Sequence, residues 1–224
     1  MTEDKDQTRG RGRLQGDEMP EINLNVPLST HPSVAERFVS HADATVSGHG
    51  KVAQRAFESA YGRLAAVDAE AAAIHGDKDL SAEAQARKVA EARAAASSAA
   101  RGTLSMEVER LTNAIANTEQ ALVKSAAPEH ATASREEIRS FVRGLPERER
   151  MGFVSKAAER GDKETVFAVL SAPTYLSGLD ALRADEFASL RRDALAKLDP
   201  IQGTQLAELE RLRDAAAAAL GSIR

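Results

Sequence analysis

Cysteine and tryptophan are absent from this chain, and aromatic residues make up only 4% of it. Without cysteine there are no disulfides, no thiolate nucleophiles and no thiolate metal ligands, a usage that fits a reducing compartment. Large cores usually draw much of their buried area from aromatic rings. Their scarcity argues against a thick globular core. Apolar runs approaching the ~20 residues of a membrane-spanning helix are missing as well, so no membrane association is expected. The opening stretch MTEDKDQTRGRGRLQGDE has no apolar centre of the kind a secretory leader needs. Charge of one sign is also lacking. The net charge over 224 residues is −4, with ten basic and ten acidic residues in 51–127 and fifteen of each in 134–224. A dedicated nucleic-acid binder carries a basic excess that neither stretch shows.

What the chain has instead is alanine and heptad spacing. Alanine favours helix strongly and brings little apolar surface. At 42% hydrophobic residues the composition is too apolar for a wholly disordered chain. These facts together favour long helices packed closely in pairs. The apolar positions Ala53, Phe57, Ala60, Leu64, Val67, Ala71 and Ile74 step by 4, 3, 4, 3, 4 and 3. Such steps draw one narrow stripe along a helix, as in a coiled coil, and a narrow stripe needs a partner helix.

Residues 1–21 read as a polar tail. Arg9, Arg11 and Arg13 within it could follow a phosphate backbone, although Asp4, Asp6, Asp17 and Glu18 offset most of their field. Residues 22–30 alternate apolar and polar, with Ile22, Leu24 and Val26 in phase. With no second strand to join, this segment is expected to be an extended arm laid on this chain or on a neighbour. Ser33 and Glu36 have the spacing of a capping box, so a helix is expected from 33 to about 46, weakened or broken at Ser47-Gly48-His49-Gly50. The heptad helix then covers 51–75 and ends at Gly76-Asp77. Ser81 caps a helical stretch reaching about 126, either continuous or broken near Gly102.

A 25-residue helix paired with one of about 45 residues leaves half of the longer one bare. That half carries the better stripe: Leu104, Val108, Leu111, Ile115 and Leu122. Its cover must come from the 34–46 helix, from the C-terminal region, or from another copy of the chain.

The region from 134 onward reads as short helices. Ser134 opens a second capping box, Pro146 and Asp162 start further helices, and a helix of about twenty residues is expected to include Leu179, Leu182, Leu190 and Leu195. Asp199-Pro200 starts a last helix with Leu206, Leu209, Leu212, Ala216 and Leu220. The expected division is an arm at 1–33, a long-helix hairpin or bundle at 34–127 and a helical C-terminal domain at 134–224. The fold class is all-α and elongated.

Chemistry-bearing patterns are scarce. The histidines at 31, 41, 49, 75 and 130 do not form the i, i+4 pair with a nearby acid of a helical zinc site, and are expected exposed in loops. Acidic pairs lie beside arginines, as solvated ion pairs do. Glycine-rich phosphate loops are absent. No enzyme activity, metal or cofactor is expected. Candidate association residues are Phe57, Leu64, Val67, Ile74, Leu104, Val108, Leu111, Ile115 and Leu122, with Ile22, Leu24 and Val26 in the arm, and each helical one serves equally well as intramolecular core.

One stretch carries a likeness. Gly144-Leu145-Pro146-Glu147-Arg148-Glu149-Arg150, then Ala157, Gly161-Asp162, Ala168-Val169-Leu170-Ser171-Ala172-Pro173 and Leu176-Ser177-Gly178-Leu179, resembles uncharacterised helical proteins of tailed bacteriophages and prophages, encoded near structural genes. The likeness covers 143–179. It implies a virion component or assembly factor, homo-oligomeric and in contact with capsid or portal proteins, found in the virion or the host-cell cytoplasm. It carries over no catalytic or binding residue. The second reading is a nucleic-acid-associated or regulatory helical protein that uses Arg9, Arg11 and Arg13.

Overall fold

The computed structural model describes residues 26–128 and 135–223. Ile22, Leu24, Arg9, Arg11, Arg13, His130 and Ser134 therefore lie outside the described residues. Among those described there are eight α-helices, two short 3-10 turns and no strand. The fold is all-α with long helices.

The framework is a hairpin of two long helices. Asp43 takes the N-cap position of α2 (Ala44–Gly76), accepting from the backbone N–H of Thr45 and Val46 at 2.9 and 3.0 Å. Ser81 does the same for α3 (Ala82–Ala126), accepting from Ala84 N–H at 3.3 Å. At 45 residues α3 is about 68 Å long and runs unbroken through Gly102. A single glycine costs a helix about 1 kcal/mol, well within what the flanking helix formers and a packed face offset.

The expected break at Ser47-Gly48-His49-Gly50 does not occur. All four residues lie inside α2, and the chain turns earlier, at 40–43, after α1 (Ser33–Val39). The two glycines differ in role. A Cβ on Gly48 would meet nothing within 4 Å. On Gly50 it would lie 2.5 Å from the carbonyl carbon of Phe38 and 2.7 Å from the Val39 nitrogen. Gly50 thus lets the end of α1 lie directly on α2. Ser47 Oγ completes the joint by donating to Val39 O at 2.7 Å. Nor is Ser33 a helix cap: Pro32 holds the N-cap position, and Ser33 Oγ pairs instead with His31 Nδ1 at 2.8 Å.

Arg110 of α3 reaches His49 of α2, which sets the two helices antiparallel with 110 level with 49. The bare half of α3 is covered from within the chain by α8 (Pro200–Ser222). Asp199 starts α8 by accepting from Gln202 N–H at 3.2 Å, with Pro200 in the first turn. At its far end Arg101 of α3 donates to Ile223 O at 3.1 Å, and near its start Gln205 donates to Asp43 Oδ2 at 2.8 Å. Helix α8 therefore runs antiparallel to α3 and spans it from about 101 to 126. Past residue 101 the end of α8 and the 26–31 segment still line the joint of α2 and α3 as far as Arg93, beyond which the described residues show the two helices as a pair.

The remaining helices form a cap over the C-terminal end of α3: α4 (Arg135–Gly144), α5 (Glu147–Glu159), α6 (Lys163–Leu170) and α7 (Ala184–Leu198). Gly161, at φ +72°, closes α5 with Asp162 N–H donating back to Ala157 O at 2.9 Å, and the Asp162 carboxylate then caps α6. Helix α7 is shorter than the twenty residues expected. Leu179 and Leu182 lie in the loop before it, because Gly178 at φ +68° turns the chain and Leu179 N–H closes back onto Thr174 O at 2.9 Å. Arg150 locks this corner, donating to Arg143 O, Leu145 O and Gly178 O at 2.9, 2.9 and 2.6 Å.

One continuous cluster of buried residues extends from α1 to α8. Packing thus crosses the 127/134 boundary: α8 stands with the long helices, and α7 bridges the cap to α8 and α3.

Candidate functional site

The association stripes are where the long helices meet one another. Phe57 and Val67 of α2 are buried, as are Leu104, Leu111, Ile115 and Leu122 of α3. Leu64, Val108 and Ile74 are half-buried. The stripe 104–122 is thus brought together with Leu206, Leu209, Leu212, Ala216 and Ala219 of α8 in one core. Alanines at 216 and 219 let the helices approach towards the low end of the ~8–10 Å range.

In the arm, Val26 is buried, and the strand-like alternation does not persist beyond it. Leu28–Thr30 closes into a 3-10 turn, with Thr30 N–H donating to Pro27 O at 2.9 Å. The turn rests on α2 and α8, and Ser29 Oγ donates to Ser222 Oγ at 2.7 Å. All four described histidines depart from the exposed-loop expectation: His75 is exposed but lies in the last turn of α2, and His41 is half-buried in the loop before it. His31 is buried, with its ring edge-on to Tyr61 at 5.0 Å, and His49 is half-buried inside α2.

His49 belongs to a charged group that sequence reading missed. Glu107 of α3, only 4% exposed, accepts from Arg110 Nη2 at 2.6 Å and from Nε at 2.8 Å. Arg110 Nη1 then donates to His49 Nδ1 at 2.7 Å across the α2–α3 joint. Because guanidinium only donates, Nδ1 must be the acceptor and His49 is neutral there. Burial pushes its pKa below the ordinary histidine value, and the Arg110 charge pushes the same way against the opposing pull of Glu107. The one signal in the sequence was the i, i+3 spacing of Glu107 and Arg110, which reads as an ordinary surface pair until α2 covers it. Chemically the group clamps two helices in register.

Elsewhere the exposed large apolar residues are scattered. Phe141, 57% exposed, meets Phe153 with ring centroids 5.4 Å apart, and Tyr175 is 64% exposed on the second 3-10 turn, Thr174–Leu176. Between α2, α3 and the end of α8 lies an open depression of about 570 Å³ lined by Leu64, Val67, Asp68, Arg93 and Ser97 together with Val26, Pro27, Ser222 and Ile223. The described residues contain no cluster of histidines and acids that could hold a metal ion, and no helix of theirs is long and apolar enough to cross a membrane. Comparison with protein-family models, with curated proteins and with solved structures finds no match to this chain.

Proposed function

We propose that the chain is a structural or assembly protein of a tailed-phage particle, non-enzymatic, acting by helix–helix contact with copies of itself and with capsid or portal components. The observation that carries this reading is the run of α2 and α3 beyond the end of α8. Beyond Arg93, the last level that Val26 and Ile223 share with the pair, the two helices project to the turn at 77–81 for about 11 residues, or about 17 Å. Such a projection buries little of its own: Ala71 and Val89, with Ile74 half-covered. A long, thin pair of helices adds reach and lateral surface rather than an enclosed cavity, which suits a part that spaces or joins others. The likeness of 143–179 to tailed-phage helical proteins supplies the setting, in the virion or the host-cell cytoplasm.

Sedimentation velocity of the full chain over a hundredfold concentration range tests the self-association. An elongated oligomer that grows with concentration is expected. A monomer at every concentration overturns that part of the reading.

A further inference from the structure

Where α7 meets α3, an open trough of about 530 Å³ runs between them. Leu122, Val123, Leu195 and Leu206, buried or half-buried, form its floor, and exposed Ala116 and Ala188 stand at its rim. Its volume falls in the ~300–1,000 Å³ range of sites that take a ligand-sized group. Arg192 holds the walls in place, pairing with Glu119 of α3 at 3.1 Å and with Glu210 of α8 at 2.8 Å. With that charge matched, the cation left in the trough is Arg191. It is exposed, and among the described residues it has no ionic or hydrogen-bonding partner. Arg191 also lines the narrow cleft that continues the trough towards Phe167 and Leu170 of α6. The trough therefore offers apolar surface with one unmatched positive charge. Its complement is an apolar group with an acid beside it.

We propose that this trough receives α4 of a second copy of the chain, with Phe141 on its floor and Glu137 against Arg191. Phe141 is 57% exposed, and Glu137, four residues before it, is exposed as well. That spacing puts both on one face of α4, with Cβ atoms about 5–6 Å apart. Among the described residues Glu137 has no partner. The arginines of α4 are turned elsewhere. Arg135 lies over the Phe167 ring, Arg139 donates to Ala168 O at 3.4 Å, and Arg143 lies beside Gly178. The open face of α4 thus presents a ring and an acid, the complement of the trough in both shape and charge. Neither residue lines the trough of its own chain, so every copy offers one knob and one socket. Such a head-to-tail contact closes a ring or continues as a filament. The inference rests on the self-association proposed above and names the two surfaces that make it.

The absence of native cysteine makes the test direct. One batch of the full chain carries Ser140→Cys, exposed beside Phe141, and a second carries Ala188→Cys at the rim. The two are mixed in equal amounts and oxidised, and the disulfides are mapped by peptide mass spectrometry. The expected result is a bond from 140 to 188 that forms at least tenfold faster than 140–140 or 188–188. Adding Arg191→Glu to the second batch should remove that preference, and adding Glu137→Arg to the first should then restore it. Statistical pairing of the three bonds, a preference untouched by Arg191→Glu, or a loss that Glu137→Arg does not restore overturns the proposal. Sedimentation of the parent chain tells the two kinds of failure apart. If the parent still grows with concentration, self-association stands and uses another face. If the parent is a monomer throughout, the socket and the self-association fall together.

Discussion

The two halves of α3 belong to one helix and live in different surroundings. From 82 to 102 its buried residues are Val89 and Ala100, and its one long-helix neighbour is α2. From 103 to 126 it buries Leu104, Glu107, Leu111, Ile115, Leu122 and Ala126, with α8 added along it. Fully burying a leucine contributes roughly 1.5–3 kcal/mol, whereas alanine contributes mainly its helix propensity. The second half is therefore an anchor held by packing. The first is a projection held by propensity, by its caps and by continuity with the anchor. Length alone says nothing about where a helix is secured.

The largest effect expected from this contrast is at Leu111. Leu111→Ala should cost about 2–5 kcal/mol in chemical denaturation, since it leaves a cavity in the three-helix section. Ile74→Ala, half-exposed on the projection, should cost about 1 kcal/mol or less. Equal losses would erase the distinction between anchor and projection.

Arg110→Ala comes next. It strips the guanidinium from buried Glu107 and should cost about 2–4 kcal/mol, somewhat under the value for a fully buried pair because Arg110 is partly exposed. The double change Glu107→Leu/Arg110→Met should recover much of that loss, because no unpaired charge then remains inside. If the double variant is as unstable as the single one, the clamp matters for reasons other than charge.

Gly50 and Gly48 sharpen the picture at the root of α2. Gly50→Ala should cost about 1–3 kcal/mol, because its methyl would overlap the α1 backbone. Gly48→Ala, in open space on the same helix, should gain about 0.5–1 kcal/mol. Thermal melts of the two variants moving in opposite directions check both.

The smallest effect is the pH dependence of the clamp. The folded pKa of His49 is lowered, so the unfolded chain binds the proton more readily. The contribution of His49 is fully present above its ordinary value near 6.5 and declines as pH falls below it. Stability measured at pH 7.5 and 5.5 should fall less for His49→Gln than for the parent. An unchanged slope would detach His49 from the clamp.

Much of this architecture was legible beforehand. Ser81, Asp162 and Asp199 start helices because a short oxygen-bearing side chain can accept from an orphan backbone N–H, a local matter within three residues. The stripe from Leu104 to Leu122, and its need for cover, were equally plain. The break misplaced at Gly50 shows where local reading ends. Glycine weakens an isolated helix, but here α1 makes its missing side chain the reason the helix can be there. The same applies to Leu179 and Leu182, whose helical spacing was overruled by the turn at Gly178 and the Arg150 bonds around it.

By itself the sequence determined that the described fold is all-α, where most of its helices start, and which faces must be covered. Those properties depend on backbone capping, propensity and the 3.6-residue period, all of which act within a few residues. Only the tertiary structure decided that α8, rather than α1, lies along the far half of α3, and that His49, Arg110 and Glu107 meet. Hydrophobic burial is non-directional, so one leucine stripe suits another equally well on any helix. Connection length, the close approach at Gly50 and the single buried charge clamp select among them.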